Sequence, residues 1–192
     1  MSLYHLHVEK NMDDIPTLIS HDFSEYELYR EDILGIGRYG SVFKGKNRRS
    51  GATVAMKFFM EDAAVAREEI KLLKKLQGGR FVVELWHDVE FAHNKFVAIL
   101  EKADMSLSNY MRRDAGVQIE IVRSISWQLS GALRHIHSMG VVHADLKPSN
   151  VLLFLVEEQV DDRLRVKLCD FSNSLACGGS IALETCEIVS LP

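Results

Sequence analysis

The chain has 192 residues, of which 47% are hydrophobic and 26% charged, and its formal net charge at pH 7 is −4. This length suits one domain, or a small domain with part of a second, and the composition is typical of a globular protein. The negative net charge gives no reason to expect a nucleic-acid partner.

The cysteines and the apolar runs indicate in which cellular compartment the protein is expected. The three cysteines form no Cys-x-x-Cys pair, and no histidine pair has ligand spacing, so the sequence indicates neither a disulfide framework nor a zinc site. The N-terminal segment lacks a basic start followed by an apolar core, and no apolar run reaches the roughly 18 residues of a membrane span. We therefore expect no membrane association, and a reducing compartment, the cytoplasm or the nucleus.

The first half of the chain has the pattern of a small sheet. Residues 1–24 show no sustained period and are expected to form an N-terminal extension. Three short apolar runs follow at 26–37, 41–47 and 52–60, separated by turns rich in glycine, arginine and serine. This pattern predicts an antiparallel meander of three strands.

A helix and a second hairpin are expected next. Residues 62–76 place apolar side chains near helical spacing and end at two glycines, which predicts a helix. The runs at 80–90 and 95–102 predict a hairpin.

Helical patterns dominate afterwards. They cover 106–113 and 119–140, the second being long and amphipathic. Short strands around polar loops follow, and 172–192 is expected to be an extended loop. The predicted fold class is α+β, with a β-rich small lobe containing one helix at 25–101 and a helical large lobe at 102–192.

A glycine-rich segment, GIGRYGSV, occupies residues 35–42 and contains Gly35, Gly37, Gly40 and Val42. Glycines at this spacing let backbone N–H groups approach phosphate oxygens without an intervening Cβ. A dinucleotide-binding fold would run from such glycines into a helix, whereas here they run into a strand pattern. The segment therefore favours a hairpin folded over a nucleotide.

Two charged residues stand in otherwise apolar surroundings. Lys57 lies within the apolar run VAMK, and Glu69 shares a helical face with Leu73 and Leu76. Taken singly, each is most simply a surface charge. Taken with the glycine segment, an inward Lys57–Glu69 pair facing phosphate is the favoured interpretation.

Polar residues also gather in the segment VVHADLKPSNVLL at 141–153. It contains Asp145, Lys147 and Asn150, and Asp170 follows the next predicted strand. These residues supply a base, a cation and two oxygen ligands of the kind that Mg²⁺ accepts while it bridges phosphates. Such a set suits phosphoryl transfer, which depends on positioning and charge neutralisation.

Five segments occur in the order found in eukaryotic protein kinases: GIGRYGSV, VAMK, EIKLLKKL, HADLKPSN and CDFS. From about Tyr26 to its last residue the chain resembles that family. The resemblance implies a two-lobed kinase fold and the ATP- and Mg²⁺-dependent transfer of a phosphate to Ser or Thr hydroxyls of protein substrates, because DLKPSN resembles the serine/threonine-specific form of the catalytic loop.

The resemblance also implies roles for individual residues. Asp145 would be the catalytic base, Lys147 would contact the γ-phosphate, and Lys57 would hold the α- and β-phosphates while paired with Glu69. The implied magnesium ligands are Asn150 and Asp170. The residues implied to contact the nucleotide are Gly35, Gly37, Gly40, Val42, Ala55, Lys57, Glu101, Ala103 and Leu152. An apolar stack of Leu73, Leu85, His143 and Phe171 is implied as well, with Leu100 beside the adenine.

The chain departs from the family pattern at two positions near these residues. Ala144 replaces an arginine that normally binds a phosphorylated activation loop, so we expect a change of regulation more than of chemistry. Ser172 replaces a glycine, which is expected to restrict movement of the Asp-Phe-Ser segment.

The sequence stops at Pro192, before the Ala-Pro-Glu region and the helices that follow it in kinases. The large lobe is therefore expected to be incomplete, with an apolar helix face left uncovered. The sequence is then a fragment, a truncated product, or a protein that borrows the surface of a partner. The alternative to an active kinase is a catalytically silent, kinase-like module that binds a nucleotide or a partner.

Overall fold

The structure is a computed structural model that describes residues 24–59, 63–113, 118–155 and 164–176. The predicted N-terminal extension, apart from Ser24, lies outside the described residues. The elements in chain order are β1 (Tyr26–Gly37), β2 (Gly40–Asn47), β3 (Thr53–Phe59), α1 (Ala63–Leu76), β4 (Leu85–Ala92), β5 (Lys95–Glu101), β6 (Met105–Ser106), α2 (Leu107–Arg113), α3 (Ile119–Ser138), β7 (Val141–Val142), a 3₁₀ helix (Pro148–Asn150), β8 (Val151–Leu155), β9 (Leu164–Leu168) and β10 (Leu175–Ala176).

The chain divides into two compact units. The first contains the described residues up to Arg67 together with Leu85–Lys102, and the second contains Glu68–Glu84 and the described residues from Ala103 onward. Residues 63–67 of the helix α1 thus belong to the first unit, and residues 68–76 belong to the second.

The first unit is built on a five-stranded antiparallel sheet with strand order β1-β2-β3-β5-β4. The predicted meander is confirmed, since β2 pairs with both β1 and β3. Side chains alternate between the two faces of a strand, so residues directly opposite each other share a face. One face carries the apolar core of this unit, which consists of Phe43, Val54, Met56, Phe58, Val89, Val97 and Ile99.

The predicted helix at 62–76 is confirmed as α1, although Asp62 lies outside the described residues. Ile70, Leu73 and Leu76 are buried along one side of it, as the helical spacing requires. Two lysines in the last turn complement the helix dipole, and Gly78, with a φ of 85°, allows the chain to leave the helix.

The predicted strand at 80–90 is wrong in its first part. The strand β4 begins only at Leu85, whose partner Leu100 is the next-to-last residue of β5, so the earlier residues have no ladder position on β5. They pair elsewhere in the second unit: Leu168 N–H donates to the Phe81 carbonyl at 2.8 Å, and Val83 N–H donates to the Leu168 carbonyl at 3.0 Å.

The predicted extended loop at 172–192 also needs a correction. Its residues Leu175–Ala176 form β10, which pairs antiparallel with Val141–Val142. The two residues of β10, which follow the Asp-Phe-Ser segment, therefore pair with the two residues that precede the polar loop at 143–150. Residues 177–192 lie outside the described part of the chain.

In the second unit, α3 packs near a three-stranded sheet with order β6-β8-β9. The helix buries Ile125, Gln128, Ala132 and Ile136, and the helical prediction for this segment is confirmed. None of the helices in the described ranges is both long and apolar enough to cross a membrane.

A glutamine in α3 completes the edge of this sheet. β9 is an edge strand, and the buried Gln128 side chain accepts a hydrogen bond from Val166 N–H at 2.8 Å and donates one to the Leu164 carbonyl at 2.9 Å. A side-chain amide thus takes the place of a neighbouring strand, which satisfies backbone groups that burial would otherwise leave without partners.

We predict that Gln128→Met, which keeps the length of the side chain, lowers the free energy of unfolding by about 2–4 kcal/mol, because the buried Val166 N–H and the half-buried Leu164 carbonyl lose their partners. Urea denaturation measures this loss. Gln118→Met, at the exposed start of α3 where the side chain makes no capping hydrogen bond, is the matched control and should change stability by less than about 0.5 kcal/mol. Equal losses in the two variants would contradict the role given to Gln128.

Candidate active site

The glycines of the β1–β2 hairpin have two different surroundings. In the ladder Gly35 lies opposite Val42, and Gly37 lies opposite Gly40. A Cβ on Gly35 would meet nothing within 4 Å, and one on Gly37 would meet only the Gly40 carbonyl at 3.7 Å. A Cβ on Gly40, in contrast, would overlap the backbone carbonyl of Phe58. Gly40 is therefore required by packing of β2 on β3, a reason that the sequence interpretation missed.

Three further predicted nucleotide contacts in the first unit, Val42, Ala55 and Lys57, share one face of the sheet. Val42 lies opposite Lys57 in the ladder, and Lys57 lies opposite Ala98. Ala55, two residues before Lys57, lies opposite Leu100 and points to the same side. This face is the reverse of the one that carries the apolar core. Glu101 ends the strand β5 and lies opposite Val54, so its side chain belongs to the core face.

The structure decides one alternative that the sequence left open, because neither Lys57 nor Glu69 is a surface charge. Lys57 is 7% exposed, with its ammonium nitrogen 5.2 Å from the centre of the Phe59 ring. Glu69 on α1 is 2% exposed. Burying either charge is costly unless it is compensated, so each position requires charged or hydrogen-bonding surroundings.

The polar loop between β7 and the 3₁₀ helix lies in the second unit and is organised around Asp145. Its carboxylate oxygen Oδ2 accepts hydrogen bonds from Lys147 Nζ at 2.7 Å and from Asn150 Nδ2 at 3.1 Å. The same Asn150 amide nitrogen donates to the Asp145 backbone carbonyl at 2.9 Å. Three of the residues predicted to act together are therefore in direct contact.

Asp170 lies next to this loop because of strand pairing. β8 and β9 are antiparallel, with Val151 opposite Leu168, and Cys169 N–H extends the pairing by donating to the Asn150 carbonyl at 2.9 Å. Asp170 is the next residue. It has a φ of 63°, in the left-handed region that non-glycine residues seldom adopt.

The donor set at this place fits a magnesium ion. The Asn150 amide nitrogen faces Asp145, so its amide oxygen is directed the other way and can serve as a ligand. Asp170 contributes a carboxylate, and Mg²⁺ is commonly held by one or two protein oxygens while water and phosphate complete its octahedron.

Comparison with known proteins identifies the family of the chain. The family model for the protein kinase domain matches residues 28–187. The chain belongs to the protein kinase family. The kinase-like α+β fold expected from the ordered motifs is thereby confirmed.

Two curated kinases are similar to much of the chain. Cyclin-dependent kinase 1 of Encephalitozoon cuniculi (strain GB-M1) is 34% identical over 168 residues, which cover 82% of this chain and 54% of that protein. Serine/threonine-protein kinase TIO of Arabidopsis thaliana is 34% identical over 146 residues, which cover 73% of this chain and 10% of that protein. The chain thus aligns with about half the length of one relative and a tenth of the other.

His143, which belongs to the kinase loop motif, contacts the backbone of Asp145 and helps to fix its position. Its Nε2–H donates to the Cys169 carbonyl at 3.0 Å, and its Nδ1 accepts from the Asp145 N–H at 3.3 Å. A neutral ring protonated on Nε2 satisfies both contacts, whereas a proton on Nδ1 would oppose the Asp145 N–H. The ring also packs on Phe171, with centroids 4.9 Å apart.

The environment of His143 lowers its pKa below the ordinary value of 6.5. The chief cause is burial, which disfavours the charged imidazolium. The Cys169 carbonyl and the carboxylates of Asp170, Asp145 and Glu69 act in the opposite direction without outweighing burial.

Ala144, which stands in the place of the family's arginine, has a φ of 59°. The left-handed conformation costs an L-residue roughly 1–2 kcal/mol. This turn lies between the buried His143 and Asp145, whose carboxylate contacts Lys147 and Asn150. The altered regulation expected from this position stays a prediction.

The Asp-Phe-Ser segment contributes contacts that the sequence analysis did not foresee. The Ser172 hydroxyl lies 2.8 Å from Asp170 Oδ1 and is also hydrogen-bonded to Glu69 Oε2. The Ser174 hydroxyl donates to the His143 carbonyl at 3.0 Å, and Asn173 Nδ2 lies 3.5 Å from Asp145 Oδ2. The signal in the sequence was three consecutive polar residues directly after Asp170-Phe171.

Of the site residues predicted in the second unit, Asp145, Lys147 and Asn150 are in direct contact, and the Ser172 hydroxyl joins Asp170 to Glu69. Ala103 precedes β6, and Leu152 lies in β8 opposite Ser106 and Lys167. The remaining predicted residues belong to the first unit: Gly35, Gly37, Gly40, Val42, Ala55, Lys57 and Glu101.

We predict that Gly40→Ala lowers the free energy of unfolding by about 1–3 kcal/mol, because the added methyl group overlaps the Phe58 carbonyl. Gly35→Ala, on the same hairpin and with open space around its Cβ, is the control and should change stability by less than about 0.5 kcal/mol. Urea unfolding curves distinguish them. If both variants lose the same stability, the packing role of Gly40 is refuted.

We also predict that the parent chain loses stability as the pH falls below 6.5, to a degree set by His143. The folded state lowers the pKa of His143, so between the folded and unfolded pKa values only the unfolded chain binds the proton, and stability is complete above 6.5 and declines below it. The slope contributed by this residue approaches about 1.4 kcal/mol per pH unit. His143→Gln replaces the ring N–H donor by an amide N–H donor and cannot ionise in this pH range. This variant should therefore lack that part of the slope. Parallel stability curves for the two proteins between pH 5 and 7 would count against it.

Proposed function

We propose that the chain is a serine/threonine protein kinase that transfers the γ-phosphate of ATP to hydroxyl groups of protein substrates. The observation that carries the proposal is the contact of the Asp145 carboxylate with both Lys147 and Asn150. A base, a cation and a metal-ligating amide are thereby assembled on one loop, which is what phosphoryl transfer requires of a protein.

In this mechanism Asp145 orients the substrate hydroxyl and accepts its proton. Two donors, Lys147 Nζ and Asn150 Nδ2, fix the direction of the carboxylate through Oδ2, so its second oxygen Oδ1 is presented at a defined angle. Lys147 Nζ is half-exposed and can also reach a transferring phosphate, where a positive charge stabilises the equatorial oxygens. His143 keeps the loop in place without adding a charge.

Roles in nucleotide binding are proposed for residues of each unit taken by itself. Val42, Ala55 and Leu152 are assigned to the adenine, and the backbone of Glu101 and Ala103 to its polar edge. Gly35 and Gly37 leave open space in which a phosphate can approach the backbone. Lys57 is assigned to the α- and β-phosphates. Magnesium bound by Asn150 and Asp170 would neutralise charge on the phosphates.

The kind of substrate is supported by the loop sequence and by the relatives. DLKPSN resembles the serine/threonine-specific form of the loop, and one relative is named a serine/threonine-protein kinase. Because Ala144 cannot bind a phosphorylated activation loop, we propose that activity does not depend on phosphorylation of that loop. The sparse cysteines support a cytoplasmic or nuclear location.

The decisive experiment compares transfer of labelled γ-phosphate from Mg-ATP to a mixed protein substrate by the parent chain and by Asp145→Asn. We expect the parent to transfer label and the variant to lose at least about a hundredfold in rate, because an amide cannot accept the substrate proton. Asp32→Asn, which removes an exposed carboxylate paired with Lys44 in the first unit, serves as the control and should retain the parent rate.

Thermal unfolding of all three proteins accompanies the assay, so that loss of folding is not mistaken for loss of chemistry. Equal rates for the parent and Asp145→Asn would refute Asp145 as the base. If the parent chain is folded and transfers no label, the proposal that it is an active kinase is refuted.

A second candidate function is a catalytically silent module that acts through a partner. The observation in its favour is the exposed apolar side chains of α3, where Ile119, Val122 and Trp127 face solvent and Trp127 is 64% exposed. Binding of Mg-ATP to a folded parent without any transfer of label would favour this candidate.

A further inference from the structure

Ser172 occupies the position at which kinases usually have glycine, and its hydroxyl joins two carboxylates. One is Asp170 Oδ1 at 2.8 Å, and the other is Glu69 Oε2. All three residues belong to the second unit. Glu69 is almost fully buried, while Asp170 and Ser172 are half-buried, so the contacts form in surroundings where hydrogen bonds to charged groups are strong.

Backbone conformation does not explain the serine. The described residues with positive φ are Asn94, Ala144, Asp170 and three glycines, so Ser172 itself has an ordinary backbone conformation. The turn after Phe171 is closed by main-chain groups, since Ser174 N–H donates to the Phe171 carbonyl at 3.0 Å. The distinguishing feature of Ser172 is therefore its hydroxyl and the two carboxylates that it contacts.

The chemistry of a hydroxyl limits how these contacts can coexist. It carries a single proton, so it donates to one carboxylate at a time, and its oxygen faces the other. Two anions beside one hydroxyl are compatible when the charge of one is matched from elsewhere. A cation bound at Asp170 matches that charge, which leaves the Ser172 proton for Glu69.

We propose that Ser172 is a positioning residue, whose hydroxyl ties the metal-ligating carboxylate of Asp170 to the α1 carboxylate of Glu69, so that metal-dependent nucleotide binding requires it. The proposal rests on the function assigned above. Asp170 has a φ of 63° and gains from a contact that holds this conformation. Glycine at position 172 offers no such contact.

The test separates the metal-dependent part of nucleotide affinity from the rest. The dissociation constant of ATP is measured by calorimetry with Mg²⁺ and again with EDTA, for the parent, Ser172→Ala and Ser172→Thr. We expect Ser172→Ala to weaken Mg-ATP binding about tenfold, the loss of one hydrogen bond to a charged group, and to leave metal-free binding within about twofold. Ser172→Thr, which keeps the hydroxyl, should restore the parent value.

Ser130→Ala is the matched control. Its exposed hydroxyl donates to the Ser126 carbonyl within α3, so the variant removes one serine hydroxyl far from the site in sequence and should keep both dissociation constants. If Ser172→Ala weakens binding equally with and without Mg²⁺, or if threonine fails to restore it, the positioning role is overturned.

A measurement without nucleotide keeps the inference testable if the proposed function fails. A double-mutant cycle with Ser172→Ala and Glu69→Gln in urea unfolding reports whether the two side chains interact. We expect the effects to be non-additive by at least about threefold in the unfolding equilibrium constant. A parent that binds no Mg-ATP refutes the proposed function, whereas additive effects in the cycle refute the contact itself.

Discussion

The arrangement of the second unit depends on one backbone hydrogen bond, from Cys169 N–H to the Asn150 carbonyl. It extends the β8–β9 ladder beyond Val151–Leu168 and fixes the end of one polar loop against the start of the next. The other carbonyl in this stretch, that of Cys169, accepts from His143. Through these two bonds, Asn150 and Asp170 lie at the adjacent ends of β8 and β9, and His143 is held in contact with the Asp145 N–H. Without the ladder the same side chains would belong to independent loops.

How much the sequence could predict depends on whether the deciding contacts were local. The meander and α1 followed from period-2 and helical spacing within single segments, and both were confirmed. The segment Phe81–Val83 was placed wrongly because its partner, Leu168, lies more than eighty residues later, and an apolar run by itself does not indicate which strand it will join. β10 was missed because two residues are too few to show a period.

The same limit applies to the site. The ordered motifs allowed Asp145, Lys147 and Asn150 to be predicted together, since residue types at short spacing on one loop are visible in the sequence. The contact between Ser172 and Glu69 spans 103 positions, so it follows from tertiary structure alone. Gly40 is a third case. The sequence singled it out as a glycine that lets phosphate approach the backbone, but the packing reason was not visible, because a Cβ there would overlap the Phe58 backbone on a neighbouring strand.

Charge balance connects the two departures from the family pattern. Asp145, Asp170 and Glu69 all act on the pKa of His143 in the direction that favours a proton, so they create a negative potential where the imidazole is buried and neutral. Replacing an arginine by Ala144 takes one positive charge away from this place, and Ser172 introduces a neutral donor between two of the carboxylates. A hydroxyl can hold two carboxylates in defined positions through hydrogen bonds, but it does not neutralise their charge. In the proposed kinase, the carboxylate of Asp170 favours a divalent cation at this position.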